Sequence, residues 1–243
     1  MSALPLRLKK IAGFETTGYA MLHGKVVWAG ENPRTDHPRN ARHPWRAQAL
    51  ACDAVSLRAG AQQCLAMFGR LPDVQPKGLL LWLLSEPLPF PMDRATARFD
   101  ALRSALESNH LRDFENAALR VLGLGEGLTP SGDDFLGGIC FALEYAPRKA
   151  WRAQLPSVLA AIRAAAITAT NAISAALLDD LIAGSSYRAL HELLAALQAN
   201  APQAIEPAAR SLLRVGASSG ADILAGVLTA LLTTPDDNIE ATP

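Results

Sequence analysis

Apolar and polar positions alternate along residues 14 to 30, FETTGYAMLHGKVVWAG, on both sides of His23-Gly24. That is the period of a half-buried strand folding back on itself, so a β-hairpin is predicted there. Gly78 to Leu84, GLLLWLL, is a short continuous apolar run bounded by Pro76 and Pro87 and reads as a buried strand. Between the two, Glu31 to Trp45 is polar and punctuated by proline, which predicts a loop. Arg46 to Gly69 has a periodicity that fits helix and strand equally. From residue 93 the spacing turns helical: 93 to 108 and 111 to 122, then after a glycine-rich turn an apolar helix, and after Pro147 and Pro156 further helices near 156 to 167, 169 to 183, 186 to 199 and 203 to 214. Gly184 closes the second of these four. A last apolar run starts near Ser219, and the polar tail from Thr233 is expected to be disordered.

The class these elements predict is α+β, with a small N-terminal β-rich part over residues 1–90 packed on a mainly α-helical part over 91–233, followed by a flexible tail at 234–243. Pro87 to Pro91 is the natural boundary, since strand-like patterning ends there. Leu155 to Leu178 is alanine-rich but interrupted by Arg163, Thr168, Thr170, Asn171 and Ser174, so it reads as a closely packed buried helix pair and not as a membrane span.

Candidate chemistry concentrates in Gly123 to Leu143, GLGEGLTPSGDDFLGGICFAL. A glycine-rich turn feeds a helix start, where unpaired N–H groups and the positive end of the helix dipole favour an anion. Gly125 and Gly127 let the incoming chain take left-handed conformations, and Gly132 leaves the first turn bare for a ligand to approach. Either Thr129 is the N-cap with Pro130 at the first helical position, or Ser131 is the N-cap and Asp134 closes a Ser-x-x-Asp capping box.

The pattern recurs. Ser131-Gly-Asp-Asp134-Phe-Leu-Gly-Gly138 returns as Ser219-Gly-Ala-Asp222-Ile-Leu-Ala-Gly226, which suggests two paired helix starts, each preceded by glycine. Asp134 is matched by Asp222, whereas Asp133 is matched by Ala221. Neighbouring helix residues point about 100° apart, so Asp134 and Asp222 share a structural role and Asp133 carries the chemistry. The plainer alternative makes Ser131, Asp134, Ser219 and Asp222 two capping boxes with no ligand; it leaves the glycines at 123, 125 and 127 and Asp133 without a reason.

These residues resemble a known family. Gly-Leu-Gly-x-Gly-Leu-Thr-Pro-Ser-Gly-Asp-Asp at 123 to 134, with Ser218-Ser219-Gly220-x-Asp222-x-Leu224, is similar to the AllH family, which includes a subunit of oxamate carbamoyltransferase; Thr170-Asn-Ala-Ile-Ser174-Ala-Ala-Leu-Leu178 resembles a third family segment. The resemblance covers roughly 120 to 232. It implies a carbamoyltransferase subunit that moves a carbamoyl group between phosphate and an amide or ureido acid, in allantoin and purine breakdown, beside other subunits. In such a site N–H groups at 131 to 134 and 219 to 222 would hold phosphate and acyl oxygens, Thr129 and Ser131 would donate hydrogen bonds, and Asp133 would orient or deprotonate the attacking nitrogen. Gly125, Gly127, Gly132, Asp134, Ser218, Ser219, Gly220 and Asp222 would bind substrate. Thr170 and Ser174, four residues apart on one helical face, would either line a pocket or bond their own helix. The sequence departs from the family at Ala217, where members often carry histidine, so proton transfer by that side chain is not available here. That departure keeps open a non-catalytic anion-binding or assembly subunit.

Composition narrows the partners. Lys and Arg number 23 and so do Asp and Glu, so no net charge recruits nucleic acid or an anionic membrane, and a small neutral or anionic substrate is expected. Cys52, Cys64 and Cys140 have neither metal-ligand spacing nor an even count, which suits a reducing cytoplasm. Met1 to Gly13 lacks an apolar stretch of signal-peptide length. There is no Gly-Lys-Ser/Thr phosphate loop, no zinc pattern and no serine nucleophile elbow. No cofactor is expected, although magnesium held by Asp133 with a bound phosphate stays open, as does a homo-oligomer. The loop at 31 to 45 is either a solvated connection or a basic lid over an anionic substrate.

Overall fold

The computed structural model describes residues 9–13, 17–22, 25–30, 36–41, 44–68, 70 and 75–235. Among these residues three antiparallel strands, β1 (Lys9–Gly13), β2 (Thr17–Leu22) and β3 (Lys25–Gly30), lie in the order β1-β2-β3. The hairpin is therefore β2 with β3, in the register Tyr19↔Trp28 and Met21↔Val26, with β1 added at its edge. Its predicted turn at His23-Gly24 lies outside the described residues, as do 31–35 and 42–43 of the predicted loop and 236–243 of the tail.

Among the described residues ten α-helices follow: α1 (Ala54–Phe68), α2 (Leu79–Leu83), α3 (Thr96–Glu107), α4 (Leu111–Val121), α5 (Ser131–Tyr145), α6 (Leu155–Ala169), α7 (Ala172–Ile182), α8 (Arg188–Gln198), α9 (Pro202–Leu213) and α10 (Ser219–Leu232). The protein is mostly helical with a small N-terminal sheet, broadly α+β. Strand is confined to residues before 31 among those described. The ambiguous stretch after Arg46 resolves as α1, started by Asp53, whose side chain accepts the Ser56 N–H at 2.8 Å.

Gly78 to Leu84 is not a strand. It forms α2, and a continuous apolar run cannot by itself tell the two apart. Here the chain turns at Gly78 (φ +55°), and the first helical N–H, that of Leu79, is taken by Asp222 of α10 at 2.6 Å. Leu79, Leu80 and Trp82 of this short helix are buried. They join one hydrophobic core that runs from α1 to α10, so residues on both sides of Pro87–Pro91 share it.

At the centre lie α5 and α10, apolar on every face and buried almost throughout. They run side by side in the same direction: a Cβ at Gly138 would strike the backbone of Ile223, and one at Gly226 the backbone of Phe135. The identical glycine positions of the repeat thus put two backbones in contact. Around this pair, α7 packs on α5, α2 and α9 on α10, and α1 bridges α8, α9 and α10. The expected buried pair at 155 to 178 holds only for α7, since α6 buries one face through Leu155, Val158, Ile162 and Ala166 and exposes Ile167. Among the described residues, Tyr19, Met21 and Val26 of the sheet pack on Ile173 and Leu177 of α7.

Candidate functional site

Both glycine turns end beside each other because α5 and α10 start side by side. Gly123, Gly125 and Gly127 all have positive φ, and so does Gly216 before the second copy. Gly127 is the one with open space: a Cβ there would meet nothing within 4 Å. Gly132 does not serve a ligand, because the space left by its missing Cβ is filled by the Val121 carbonyl; Gly220 likewise accommodates that of Leu212.

Neither predicted cap forms. Pro130 occupies the N-cap of α5 and Ser218 that of α10, and neither gives a side-chain cap hydrogen bond. The N–H groups of 132, 133 and 134 donate to Leu124 and Pro130 carbonyls, and those of 220, 221 and 222 to Val215 and Ser218 carbonyls. Of the N–H groups expected to hold an anion, those of 132–134 and 220–222 already have acceptors within the chain, which leaves those of Ser131 and Ser219 for a ligand.

The acid side chains occupy the positive helix ends instead. Asp133, buried, accepts from the Gly123 N–H at 2.7 Å, from Thr170 Oγ1 at 2.5 Å and from Ser174 Oγ at 2.6 Å. It ties the glycine turn to α7. Thr170 and Ser174 do not share a helical face: Thr170 ends α6, and Asn171 caps α7 by accepting from Ile173 and Ser174 N–H groups. Asn171 also donates to the Leu128 carbonyl at 3.0 Å, which fixes the loop before α5. Any magnesium ion at Asp133 would have to displace its three donors. Among the described residues no three His, Cys, Asp or Glu side chains converge to hold a metal.

Asp134 and Asp222 are swapped between the helices. The Ser219 hydroxyl of α10 lies beside Asp134 of α5, and the Ser131 hydroxyl of α5 beside Asp222 of α10. Burial pushes the Asp134 carboxyl well above the usual carboxylate range, and the neighbouring Asp222 adds to this, while Ser219 and Thr129 pull the other way. Asp222 is raised to about 6, again mainly by burial, against the Leu79 N–H and the Ser218 and Ser131 hydroxyls. One oxygen of each, Oδ2, is buried with no hydrogen-bond partner among the described residues.

In front of Asp134, Thr129 Oγ1 and Ser219 Oγ are 2.8 Å apart. Both line a cavity of about 410 Å³, together with Gly127, Leu128, Gly216, Ala217 and Ser218 from the two turns. Of the sequence-predicted site residues, Gly127, Thr129, Ser218 and Ser219 thus meet at one opening. Ser131, Gly132, Asp133, Asp134, Thr170, Ser174, Gly220 and Asp222 form the layer behind it or hold the helices together. Gly125 shapes the turn: a Cβ there would come to 2.7 Å from the Ser131 nitrogen.

The opposite wall is made by residues that no motif singled out: Tyr19 and Trp28 of the hairpin, Tyr187 before α8, and His37 and Arg39. Tyr19 and Tyr187 hydrogen-bond through their side chains. His37 is buried and stacks on Tyr187 at 4.7 Å between ring centres. Burial, with Arg39 next, drops its pKa to about 3, so the imidazole is neutral near pH 7. Arg39 pairs with Asp180 through Nε and Nη2, and donates to the carbonyls of Val26 at 3.1 Å and Ala176 at 2.9 Å. In its described part, then, the polar loop is a strut between sheet and α7. Tyr19 and Trp28 lie in the hairpin that alternation predicts, the signal for His37 and Arg39 was the basic, proline-punctuated composition of 31 to 45, and Tyr187 carried none.

No solved structure matches the chain. Residues 121–231, which carry both turns, both acid-bearing helices and the Thr170 segment, match the family model of AllH, the oxamate carbamoyltransferase subunit, and over that stretch the chain is similar to this family.

Proposed function

We propose that the cavity at the two turns is the substrate site of a carbamoyltransferase subunit of the oxamate carbamoyltransferase kind, working with other subunits. The observation that carries this reading is convergence. Two motif segments within the family-like stretch, with hydroxyls 90 residues apart in sequence, meet at Thr129 and Ser219 on one cavity wall. In the reaction the amide nitrogen of the acceptor attacks the carbamoyl carbon, the bond from that carbon to the phosphate oxygen breaks, and the leaving phosphate carries off the amide proton. The chain's contribution is placement: the hydroxyls of Thr129, Ser218 and Ser219 hold carbonyl and N–H groups in line, and Asp134 behind them orients the first and last of these hydroxyls. Asp133 acts as a positioning residue, holding Gly123 against α7.

A second reading, a non-catalytic binding or assembly subunit, has its own support: the N–H groups of 132–134 and 220–222 and the Asp133 side chain are already engaged within the chain. The two separate on carbamoyl phosphate turnover, read as carbamoylated product from oxamate, by the full chain alone and with candidate partner subunits. Product from the assembled proteins that falls at least tenfold with Thr129→Val supports a site on this chain. Full turnover with Thr129→Val moves the chemistry to another subunit. Asp133→Asn serves as the structural control, losing about 2 kcal/mol of stability because one amide oxygen cannot accept from three donors.

A further inference from the structure

The cavity walls carry information about what can enter. Tyr19, Trp28 and Tyr187 supply aromatic surface, and the hydroxyls of Thr129 and Ser219 supply groups that both donate and accept. Arg39 reaches the wall with its charge matched by Asp180 and further N–H groups spent on two backbone carbonyls. His37 faces the cavity as a neutral ring, and Glu126 adds a carboxylate to the lining. An anion would meet the Glu126 charge and would have to compete with Asp180 for Arg39. The N–H groups of 132–134 and 220–222 behind the wall are engaged as well. A flat uncharged group gains on both counts, because its faces lie on aromatic rings and its edge pairs with hydroxyls.

Size points the same way. A volume of about 410 Å³ falls within the roughly 300–1,000 Å³ of sites that bury drug-sized ligands, larger than a two-carbon amide acid requires. We infer that this cavity recognises its ligand through an uncharged, flat amide or ureide group attached to a body of aromatic-ring size, and that phosphate is held by groups outside its described walls. The inference rests on reading this cavity as a substrate site and narrows what that site takes.

Calorimetric titration of the full chain with phenylurea, oxamate and inorganic phosphate tests it. Phenylurea binds saturably, oxamate at least tenfold more weakly, and phosphate fails to compete. Ala217→Trp puts a ring in the mouth of the cavity from an exposed position, so it weakens phenylurea at least tenfold with an unchanged thermal midpoint. Thr129→Val, nearly isosteric, weakens it about fivefold by removing one hydroxyl. The inference is overturned if phenylurea does not saturate, if Ala217→Trp leaves its affinity unchanged in a folded protein, or if phosphate or oxamate binds more tightly and is lost in that variant. Carbamoyl transfer absent from the assembled complex, with phenylurea binding intact, would remove the enzymatic reading and leave the site standing.

Discussion

The two copies of the Ser-Gly-x-Asp helix start share three residues and differ at the one between them. Ser131 and Asp134 in the first correspond to Ser219 and Asp222 in the second, and each serine serves the other helix's aspartate. At the third position the first copy has Asp133 and the second Ala221, both buried. Asp133 binds the Gly123 turn and α7, whereas the second copy reaches α2 through Asp222 and the Leu79 N–H. Shared residues therefore join the two helices to each other, and the unshared one joins its copy to a third element. A repeat in sequence marks an interface between the repeats; what departs from it marks each copy's separate attachment.

The strongest way to break this relation is to separate the backbones. Gly138→Ala places a methyl group against the Ile223 carbonyl, with Val227 N at 3.1 Å, and Gly226→Ala places one against Phe135, with Ile139 N at 3.0 Å. Backbone on both sides cannot yield as a flexible side chain would. Each variant is expected to lose about 3 kcal/mol or more, at the upper end of overpacking effects, read as a lower urea midpoint. Because the contacts are reciprocal, the two losses should be similar, and a loss at only one of them would show that the pair is not symmetric.

Next in size is the linkage of the buried acids to pH. Asp222 ionises near pH 4 in an unfolded chain and at about 6 when folded. Between those values the folded state holds more protons than the unfolded one, so stability falls as pH rises and the penalty is complete above about 6. That difference of about two units corresponds to up to about 3 kcal/mol. His37 and His191, lowered to about 3 and about 4 by burial, act oppositely by destabilising the fold as pH drops below about 6.5. The quantity to compare is therefore the stability of wild type minus that of Asp222→Asn, by urea denaturation from pH 4 to 8. It should decline through pH 4 to 6, and a flat difference would mean that Asp222 is not strained by its burial.

How much of this was readable from the chain follows from where each signal sits. The repeated Ser-Gly-x-Asp spacing located α5 and α10 and their paired starts, because the contacts that join them repeat with the sequence. The alternation around Tyr19 and Val26 located the hairpin. The mismatch between copies at Asp133 coincides with hydrogen bonds from Gly123, from Thr170 at the end of α6 and from Ser174 of α7, partners that the repeat itself does not reveal. At Gly132 the bare first turn admits the Val121 carbonyl, and spacing alone does not distinguish that from room for a ligand. Tyr187, His37 and Arg39 gave no spacing signal at all: they reach the cavity from distant parts of the chain, and only the fold brings Arg39 to Asp180, 141 residues away.

The finest test concerns the two serines, equivalent by sequence and unequal in place. Ser131 stands beside Asp222 behind the cavity wall, and its hydroxyl lowers the pKa of that carboxyl. Ser219 stands beside Asp134 and also contacts Thr129 Oγ1 at 2.8 Å, on the wall itself. Replacing either with alanine removes one hydrogen bond to a buried carboxyl, a loss of about 1 kcal/mol in stability. Ser131→Ala should leave phenylurea affinity unchanged, because the hydroxyl removed does not line the cavity. Ser219→Ala should weaken it severalfold, because Thr129 loses its partner and the wall loses a hydroxyl. Equal effects on affinity, measured by the same titration, would mean that the wall does not distinguish the copies and that both hydroxyls act only through the helix pair.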